Sequence, residues 1–336
     1  MRFPRPPKEG EPPQNISIED PVTANIEGQY EWLPAVFVEG ELKPVEDLLV
    51  LPGLRVDRFT RTGETSVQPR LTARWQIDGG PFTLKAGAGL FVQEPDFEET
   101  SEEFGNPDLI TEKALHYSAG VEYKPRPWLT LDVTGFYKDM RDLVSPTDAV
   151  VEEGDGVRPL IYDNQGSGQV YGMELVARHE FNNNLAGWIA YTLSRAKRRD
   201  SGADEDRLFD FDQTHIFTAI ASYVLPRNWQ VGVRMRIVSG NPRTPVIGSV
   251  FNAGTDQYDP IYGRVNSTRN PLFHQFDLRL DKRWIYQSWM LNAYVDIQNV
   301  YDSANPEGLR YNYDYSESQS NQGMPIVTIL GLRAEF

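Results

Sequence analysis

Residues 275–284, QFDLRLDKRW, alternate apolar and polar side chains, and residues 289–298, WMLNAYVDIQ, repeat that alternation after a short gap. In the first stretch the apolar residues fall at even positions, and aspartate and arginine alternate with them at odd positions. A period of two is typical of a β-strand with one apolar and one polar face. Because only a few residues separate the two stretches, they predict an antiparallel hairpin.

The same alternation recurs along the chain in thirteen segments. Most of them reach or exceed the ~9–11 residues that a tilted strand needs to cross a bilayer. Short connections alternate with long ones, as in outer-membrane barrels, whose short turns face the periplasm. The segments lie near 34–43, 47–59, 66–77, 81–92, 113–124, 128–143, 160–180, 185–197, 212–225, 229–239, 272–284, 289–301 and 325–336.

Tryptophan placement is an independent indication of a membrane boundary. Six of the seven tryptophans lie at the short-turn ends of the segments: Trp75, Trp128, Trp188, Trp229, Trp284 and Trp289. Indole rings favour the boundary between hydrocarbon and headgroups. A soluble β-sandwich, the competing fold, would show no such one-sided belt and would have to keep many charged faces out of its core. The sequence therefore predicts an all-β protein, a transmembrane antiparallel β-barrel.

Composition and charge exclude several classes of function. The formal net charge of −15 argues against nucleic acid as a partner, because phosphate binding needs clustered positive charge. The chain has no cysteine, and its four histidines lie on separate segments, so we expect no metal site and no cofactor. Asp212 and His215 are separated by an odd offset, which places them on opposite faces of a strand. They therefore do not predict a hydrolase dyad, and we expect no enzymatic activity.

The two ends of the chain predict that more barrel wall precedes it. If the last segment ends at the periplasmic rim with Phe336, the first of thirteen segments runs inward from the outside. Barrels of single bacterial chains have an even number of strands, so at least one strand is expected before residue 34. Residues 1–31 are rich in proline and polar residues, and we interpret them as the remnant of an extracellular loop, with the partial barrel over 32–336.

Several stretches resemble the TonB-dependent outer-membrane receptors in their order along the chain. They are LPGLRVD at 51–57, NPDL at 106–109 followed by Glu112, GFYKD at 135–139, GMEL at 172–175, YTLS at 191–194, FDQTH at 211–215, FDLR at 276–279, VDIQNVY at 295–301 and LGLRAEF at 330–336. The resemblance covers about residues 32–336.

The resemblance implies a barrel of 22 strands with a plug domain inside, of which this chain would supply roughly the last thirteen. It also implies energy-coupled uptake of a scarce nutrient, such as a ferric siderophore, cobalamin or a glycan. The plug, the energy-coupling box and the early strands are not in this sequence, so a TonB-type energy-coupling complex would be a partner only through the missing plug. The alternative is a passive, porin-like or surface-binding barrel without energy coupling.

Candidate ligand-binding residues lie in the two longest connections. Aromatic and arginine side chains on outer loops suit the capture of a bulky, partly anionic small molecule or glycan. The other expected partners are outer-membrane lipid and lipopolysaccharide. The candidate residues are Arg243, Tyr258, Tyr262, Arg264 and Arg269 in the connection 240–271, and Tyr311, Tyr313 and Tyr315 in the connection 302–324.

Overall fold

The structure is a computed structural model that describes residues 2–4, 23–25, 31–101, 105–147, 150–153, 156–159, 161–254 and 256–336. Its regular elements are β-strands, apart from two single 3-10 turns at Ile77–Gly79 and Pro226–Asn228. Within these ranges, no helix is both long enough and apolar enough to pass through a membrane.

The strands within these ranges, in chain order, are β1 (Arg2–Pro4), β2 (Thr23–Asn25), β3 (Ala35–Glu39), β4 (Leu42–Val45), β5 (Leu48–Arg58), β6 (Thr65–Gln76), β7 (Phe82–Gln93), β8 (Glu112–Arg126), β9 (Leu129–Pro146), β10 (Val150–Glu153), β11 (Gly156–Pro159), β12 (Tyr162–Asn182), β13 (Leu185–Arg199), β14 (Arg207–Leu208), β15 (His215–Leu225), β16 (Trp229–Val238), β17 (Pro242–Arg243), β18 (Val246–Asn252), β19 (Gln257–Tyr262), β20 (Thr268–Arg269), β21 (Phe273–Ile285), β22 (Met290–Gln298), β23 (Pro306–Tyr311), β24 (Ser318–Gln322) and β25 (Val327–Glu335).

One antiparallel sheet contains fifteen of these strands, and thirteen of them form its continuous path. The path is β3, β5, β6, β7, β8, β9, β12, β13, β15, β16, β21, β22 and β25, so that each strand pairs with the wall strands before and after it in the chain. The remaining two strands lie off this path: β4 pairs with β5, and β14 pairs with β13. The thirteen predicted segments correspond one to one with the thirteen strands of the path, which confirms them.

The predicted division into a loop remnant and a partial barrel is only partly covered by the structure. Of residues 1–31, the structure describes 2–4, 23–25 and 31, and the two short strands β1 and β2 pair antiparallel. The sheet begins at Ala35. The interpretation of 1–31 as an extracellular loop stays a prediction, since most of that segment lies outside the described residues.

The register of the sheet places like residues side by side on each face. Leu278 lies opposite Val233 on one neighbouring strand and Ile297 on the other, which makes a continuous apolar face. Directly opposed residues in an antiparallel pair point to the same face, so the apolar face extends from strand to strand. This is the face that the sequence predicts to meet lipid.

The belt tryptophans that lie within strands follow the apolar face, except for Trp188. Trp75 lies opposite Leu48 and Leu84, in line with the belt. Trp188, however, lies opposite Arg178 and Ile220, on the polar face. The position of Trp188 beside a short turn is as expected, but its even position in β13 turns the indole ring away from the predicted lipid side.

The polar face carries ion pairs between neighbouring strands. Arg234 pairs with Asp277 at 2.5 Å, and Arg279 lies 3.8 Å from Asp296. Arg279 also contacts Asp281 two residues along its own strand at 2.9 Å. These ion pairs keep the charged side chains on the polar face and away from the apolar face.

Gly120 permits an ion pair that spans three strands. It lies between Lys85 of β7 and Thr134 of β9, and the Lys85 ammonium bonds to Asp132 on β9. A Cβ at Gly120 would lie 2.5 Å from the Thr134 hydroxyl and 2.6 Å from the backbone oxygen of Val133. The absence of a side chain therefore lets β8 and β9 approach closely.

The well-buried apolar residues lie where the outer loops cover the strand ends: Phe59, Leu109, Leu143, Val144 and Val238. The described residues of the 94–111 connection lie at this end. Its Asn106 amide donates to the backbone oxygen of Tyr162 at 2.9 Å, and Glu112 accepts from the backbone of Val144 at 2.8 Å. The 106–112 stretch carries part of the family resemblance. Its hydrogen bonds therefore attach this loop to the ends of the neighbouring strands.

The sheet ends at β3 on one side and at β25 on the other, and these two strands do not pair with each other in the described residues. The apolar side chains of β25 are strongly exposed, with Leu330 at 74% and Leu332 at 77%. Each edge therefore presents unpaired backbone groups, which would be costly in hydrocarbon because lipid offers no hydrogen-bond partner.

We expect the isolated chain to insert poorly into lipid, because both sheet edges would leave peptide groups unpaired in the bilayer. Refolding into liposomes, followed by gel shift on heating and protease digestion, measures this. A small closed barrel refolded in parallel serves as the control for competent vesicles. A heat-modifiable, protease-resistant band from the isolated chain would contradict the expectation.

Candidate ligand-binding site at the outer loops

The long connection between β16 and β21 contains a hairpin of its own, formed by β18 and β19. The VIGSVFN sequence of β18 is rich in β-branched and aromatic residues, which favours a strand. The turn is shaped by Asn252, whose side-chain oxygen accepts from the backbone of Gly254 at 3.0 Å. Asp256 takes a left-handed conformation with φ of 54°, which aspartate tolerates better than most residues.

A second hairpin, formed by β23 and β24, rises from the connection between β22 and β25. The Asn312 side chain accepts from the backbone of Glu317 at 3.0 Å, and Asp314 accepts from the Ser316 hydroxyl at 2.7 Å. The hydrogen bonds from Ser316 lower the pKa of Asp314 below its ordinary value. These bonds shape the tip that carries Tyr313 and Tyr315.

The two hairpins enclose a cleft of about 660 Å³, which we call the aromatic cleft. It is lined by Phe251, Asp256, Gln257 and Tyr258 of the first hairpin and by Tyr311, Asn312, Tyr313 and Tyr315 of the second. Five of the eight lining residues are aromatic. A concave site with many rings and a few polar groups is the usual form of a small-molecule site.

Two contacts join the hairpins across the aromatic cleft. The Ser249 hydroxyl donates to the backbone oxygen of Asp314 at 2.5 Å. The rings of Tyr258 and Tyr313 meet edge to face, with centroids 5.8 Å apart and planes at 74°. Tyr258 also packs on Phe251 at 5.2 Å. The rings therefore support one another before any ligand is present.

The base of the first loop is fastened to the sheet by Asp212, in what we call the Asp212 clasp. Asp212 is 1% exposed and accepts from the backbone of Ala196 at 2.5 Å. Its carboxylate binds the guanidinium of Arg269, and Arg195 approaches it at 3.6 Å. Arg269 also donates to the backbone oxygen of Gly240 at 3.1 Å, which joins both ends of the loop to the strand end.

The structure brings the predicted tyrosines together and leaves the predicted arginines elsewhere. Tyr258, Tyr311, Tyr313 and Tyr315 all line the aromatic cleft. Tyr262 lies on β19 opposite Val246, outside the cleft and largely exposed. The role of these residues in ligand binding stays a prediction.

Each predicted arginine occupies a position away from the cleft lining. Arg269 belongs to the Asp212 clasp, and Arg264 pairs with Glu205 of another loop. Arg243 lies in β17, which pairs with β20 at the base of the loop. Its Nε atom is buried and has no hydrogen-bond partner within the described residues.

Sequence reasoning missed Phe251, Asp256, Gln257 and Asn312 as lining residues. A signal was present for the first three, since two strand-like stretches flank an Asn-Ala-Gly turn within 246–262. Asn312 carried no comparable signal, because its place in the cleft depends on how the second hairpin leans against the first.

The residues considered for a hydrolase are engaged in other contacts. Asp212 lies before β15 and is occupied by arginines, whereas His215 begins β15 and its Nδ1 atom is 2.7 Å from the Tyr191 hydroxyl. The Tyr191 and His215 rings also stack. The two residues therefore do not approach each other as a catalytic pair.

Comparisons with known proteins agree with this architecture. The family described as "TonB dependent receptor-like, beta-barrel" matches residues 4–300. The iron-regulated outer membrane virulence protein of Vibrio cholerae serotype O1 is 22% identical over 62% of this chain and 34% of its own length. The ferrienterobactin receptor of Escherichia coli K12 is 26% identical over 42% of this chain and 21% of its own length.

Solved structures show the same fold. The outer membrane transporter YddB from Escherichia coli superposes with a TM-score of 0.67 at 12% identity, over 90% of this chain and 45% of that protein. The chain spans about a third or less of the length of the two curated relatives described above. The family is one of transport receptors rather than enzymes. With thirteen wall strands and a family match over most of its length, the chain belongs to the TonB-dependent receptor-like β-barrel family.

Proposed function

We propose that this chain forms barrel wall and outer loops of a receptor for energy-coupled uptake of a scarce nutrient, in the outer membrane of a Gram-negative bacterium. The nutrient classes are a ferric siderophore, cobalamin or a glycan. The chain has no enzymatic role in this proposal. Its partners are outer-membrane lipid and lipopolysaccharide, the nutrient, and a TonB-type energy-coupling complex that acts through a plug domain.

The observation that carries the proposal is the convergence of two outer hairpins on the aromatic cleft, in a chain of this receptor family. Outer loops that join around one concave site suit the capture of a small molecule from the medium. The names of the relatives, an iron-regulated outer membrane protein and a ferrienterobactin receptor, support iron uptake as the first class to test.

Growth under nutrient limitation tests the proposal. Cells with and without the protein that carries this chain are grown with limiting iron supplied as ferric enterobactin, with limiting cobalamin, or with a glycan as sole carbon source. Each culture is repeated in a strain that lacks the energy-coupling complex. We expect the protein to give a growth advantage on one nutrient class, and we expect that advantage to disappear without the complex.

Two outcomes would contradict the proposed function. An advantage that persists without the energy-coupling complex would identify a passive barrel. No advantage on any of the three nutrient classes would remove nutrient uptake as the function. A protein variant Asp206→Asn, which changes only an exposed pair with Arg199, is the matched control for expression and insertion.

A further inference from the structure

We propose that the aromatic cleft selects an organic cation, namely a ligand that presents an ammonium or guanidinium group on or beside a ring. The inference rests on the proposed function, since it names the ligand chemistry of that receptor site. The cation can belong to the nutrient itself or to a carrier molecule that chelates it.

The first argument is the charge of the lining. Among the described residues that line the aromatic cleft, Asp256 is the charged one, and the others are rings and the amides of Gln257 and Asn312. An anionic ligand placed there would lose water without gaining a positive partner, which is unfavourable. A cation would meet the Asp256 carboxylate.

The second argument is that the nearby arginines are directed elsewhere. Arg264 and Arg269 pair with acidic residues outside the cleft. Arg310 precedes Tyr311 in β23, where neighbouring side chains point to opposite sides of the strand. Tyr311 lines the cleft, so Arg310 emerges on the other side of the hairpin.

The third argument is the arrangement of the rings. Tyr258 joins Phe251 on its own hairpin and Tyr313 on the other, and Tyr311 packs on Tyr315 at 5.6 Å. Ring faces carry negative electrostatic potential, and several rings around one site form the cage that recognises substituted ammonium groups. Asp256 adds a full negative charge at the edge of the same site.

Equilibrium binding to the purified protein that carries this chain tests the inference. Three probes of similar size are titrated by calorimetry: benzyltrimethylammonium, the neutral benzyl alcohol and the anionic benzoate. We expect benzyltrimethylammonium to bind at least about tenfold more tightly than benzoate, as one or two cation–π contacts would give. Benzoate binding as tightly as the cation would overturn the inference.

Variants separate the cleft from the general negative charge of the protein. Tyr258→Ala leaves the net charge unchanged and is expected to weaken the cation about tenfold, whereas Tyr258→Phe keeps the ring and the binding. Asp256→Asn preserves the left-handed turn and is expected to weaken the cation selectively. Tyr262→Ala, on the same hairpin but outside the cleft, is the matched control. Equal cation binding by wild type and Tyr258→Ala would also overturn the inference.

The binding test and the growth test fail independently. Binding needs no energy coupling. A preference for the cation without a coupled growth advantage would therefore contradict the proposed function but support the inferred ligand chemistry. A coupled growth advantage together with a preference for benzoate would support the proposed function and contradict the inferred ligand chemistry. If Tyr258→Ala does not fold, the comparison of Tyr258→Phe with Asp256→Asn still decides the matter, and equal cation affinity in these two variants counts against the inference.

Discussion

Replacing Asp212 by alanine is expected to release the outer loop 240–271 from the sheet, with a local cost of about 1–3 kcal/mol. The carboxylate is almost fully buried and is held by Arg269, Arg195 and a backbone N–H. Its removal leaves the buried Ala196 N–H without its acceptor and frees the partly exposed guanidinium groups of Arg269 and Arg195 from their partner. Hydrogen exchange of the loop amides, measured in the protein that carries this chain, reports the release directly.

A matched variant separates burial from charge in this experiment. Asp206→Ala removes a carboxylate of the neighbouring loop whose pair with Arg199 is exposed, so we expect about 0–1 kcal/mol. Asp212→Asn keeps an acceptor for the Ala196 N–H but loses the charge, and we expect an intermediate effect. Unchanged loop exchange in Asp212→Ala would show that the clasp does not hold the loop.

In the protein that carries this chain, folded in vesicles, replacing Val133 by arginine is expected to be destabilising by about 2–4 kcal/mol. Val133 lies opposite Val121 and Leu175, in the middle of the apolar face. If that face meets hydrocarbon, a guanidinium placed there loses its hydration. Urea titration in phospholipid vesicles measures the change in the free energy of unfolding.

The next residue provides the control at the same depth. Thr134 points to the polar face, where its hydroxyl donates to Asp132 at 2.9 Å and Glu174 lies opposite it. Thr134→Arg is expected to change stability by about 1 kcal/mol or less, because the new charge meets acidic neighbours. Equal destabilisation by the two variants would mean that the apolar face has been assigned to the wrong solvent.

The wall strands could be predicted because alternation reports the two environments of each strand directly. Leu278 and Asp277 point to opposite faces of their strand. A shift of one residue in register would exchange these faces, so keeping one face apolar fixes how neighbouring strands pair. Trp188 shows the limit of this reasoning. Its position beside a turn suggests the belt, but the phase of β13 sets the direction of its side chain.

The outer site could be predicted only in part because its geometry comes from contacts between loops. Tyr258 and Tyr313 lie 55 residues apart in two different connections, and only the fold shows that their rings touch. Arg269 looked like a ligand contact in the sequence, yet Asp212 occupies it. Pairing between distant polar residues has no periodic signature in the sequence. Composition therefore predicts one surface that contains both the arginines and the tyrosines, whereas the structure places the arginines away from the cleft that the tyrosines line.

The Asp212 clasp has a consequence for the affinity of the proposed nutrient capture. With the loop anchored at its root, only the hairpin tips remain to adjust when a molecule arrives. Ordering few side chains keeps the entropic penalty of association small, so more of the contact energy appears as affinity. A receptor for a nutrient at trace concentration benefits from such preorganisation, because it must retain rare encounters without first folding a long, slack segment around each of them.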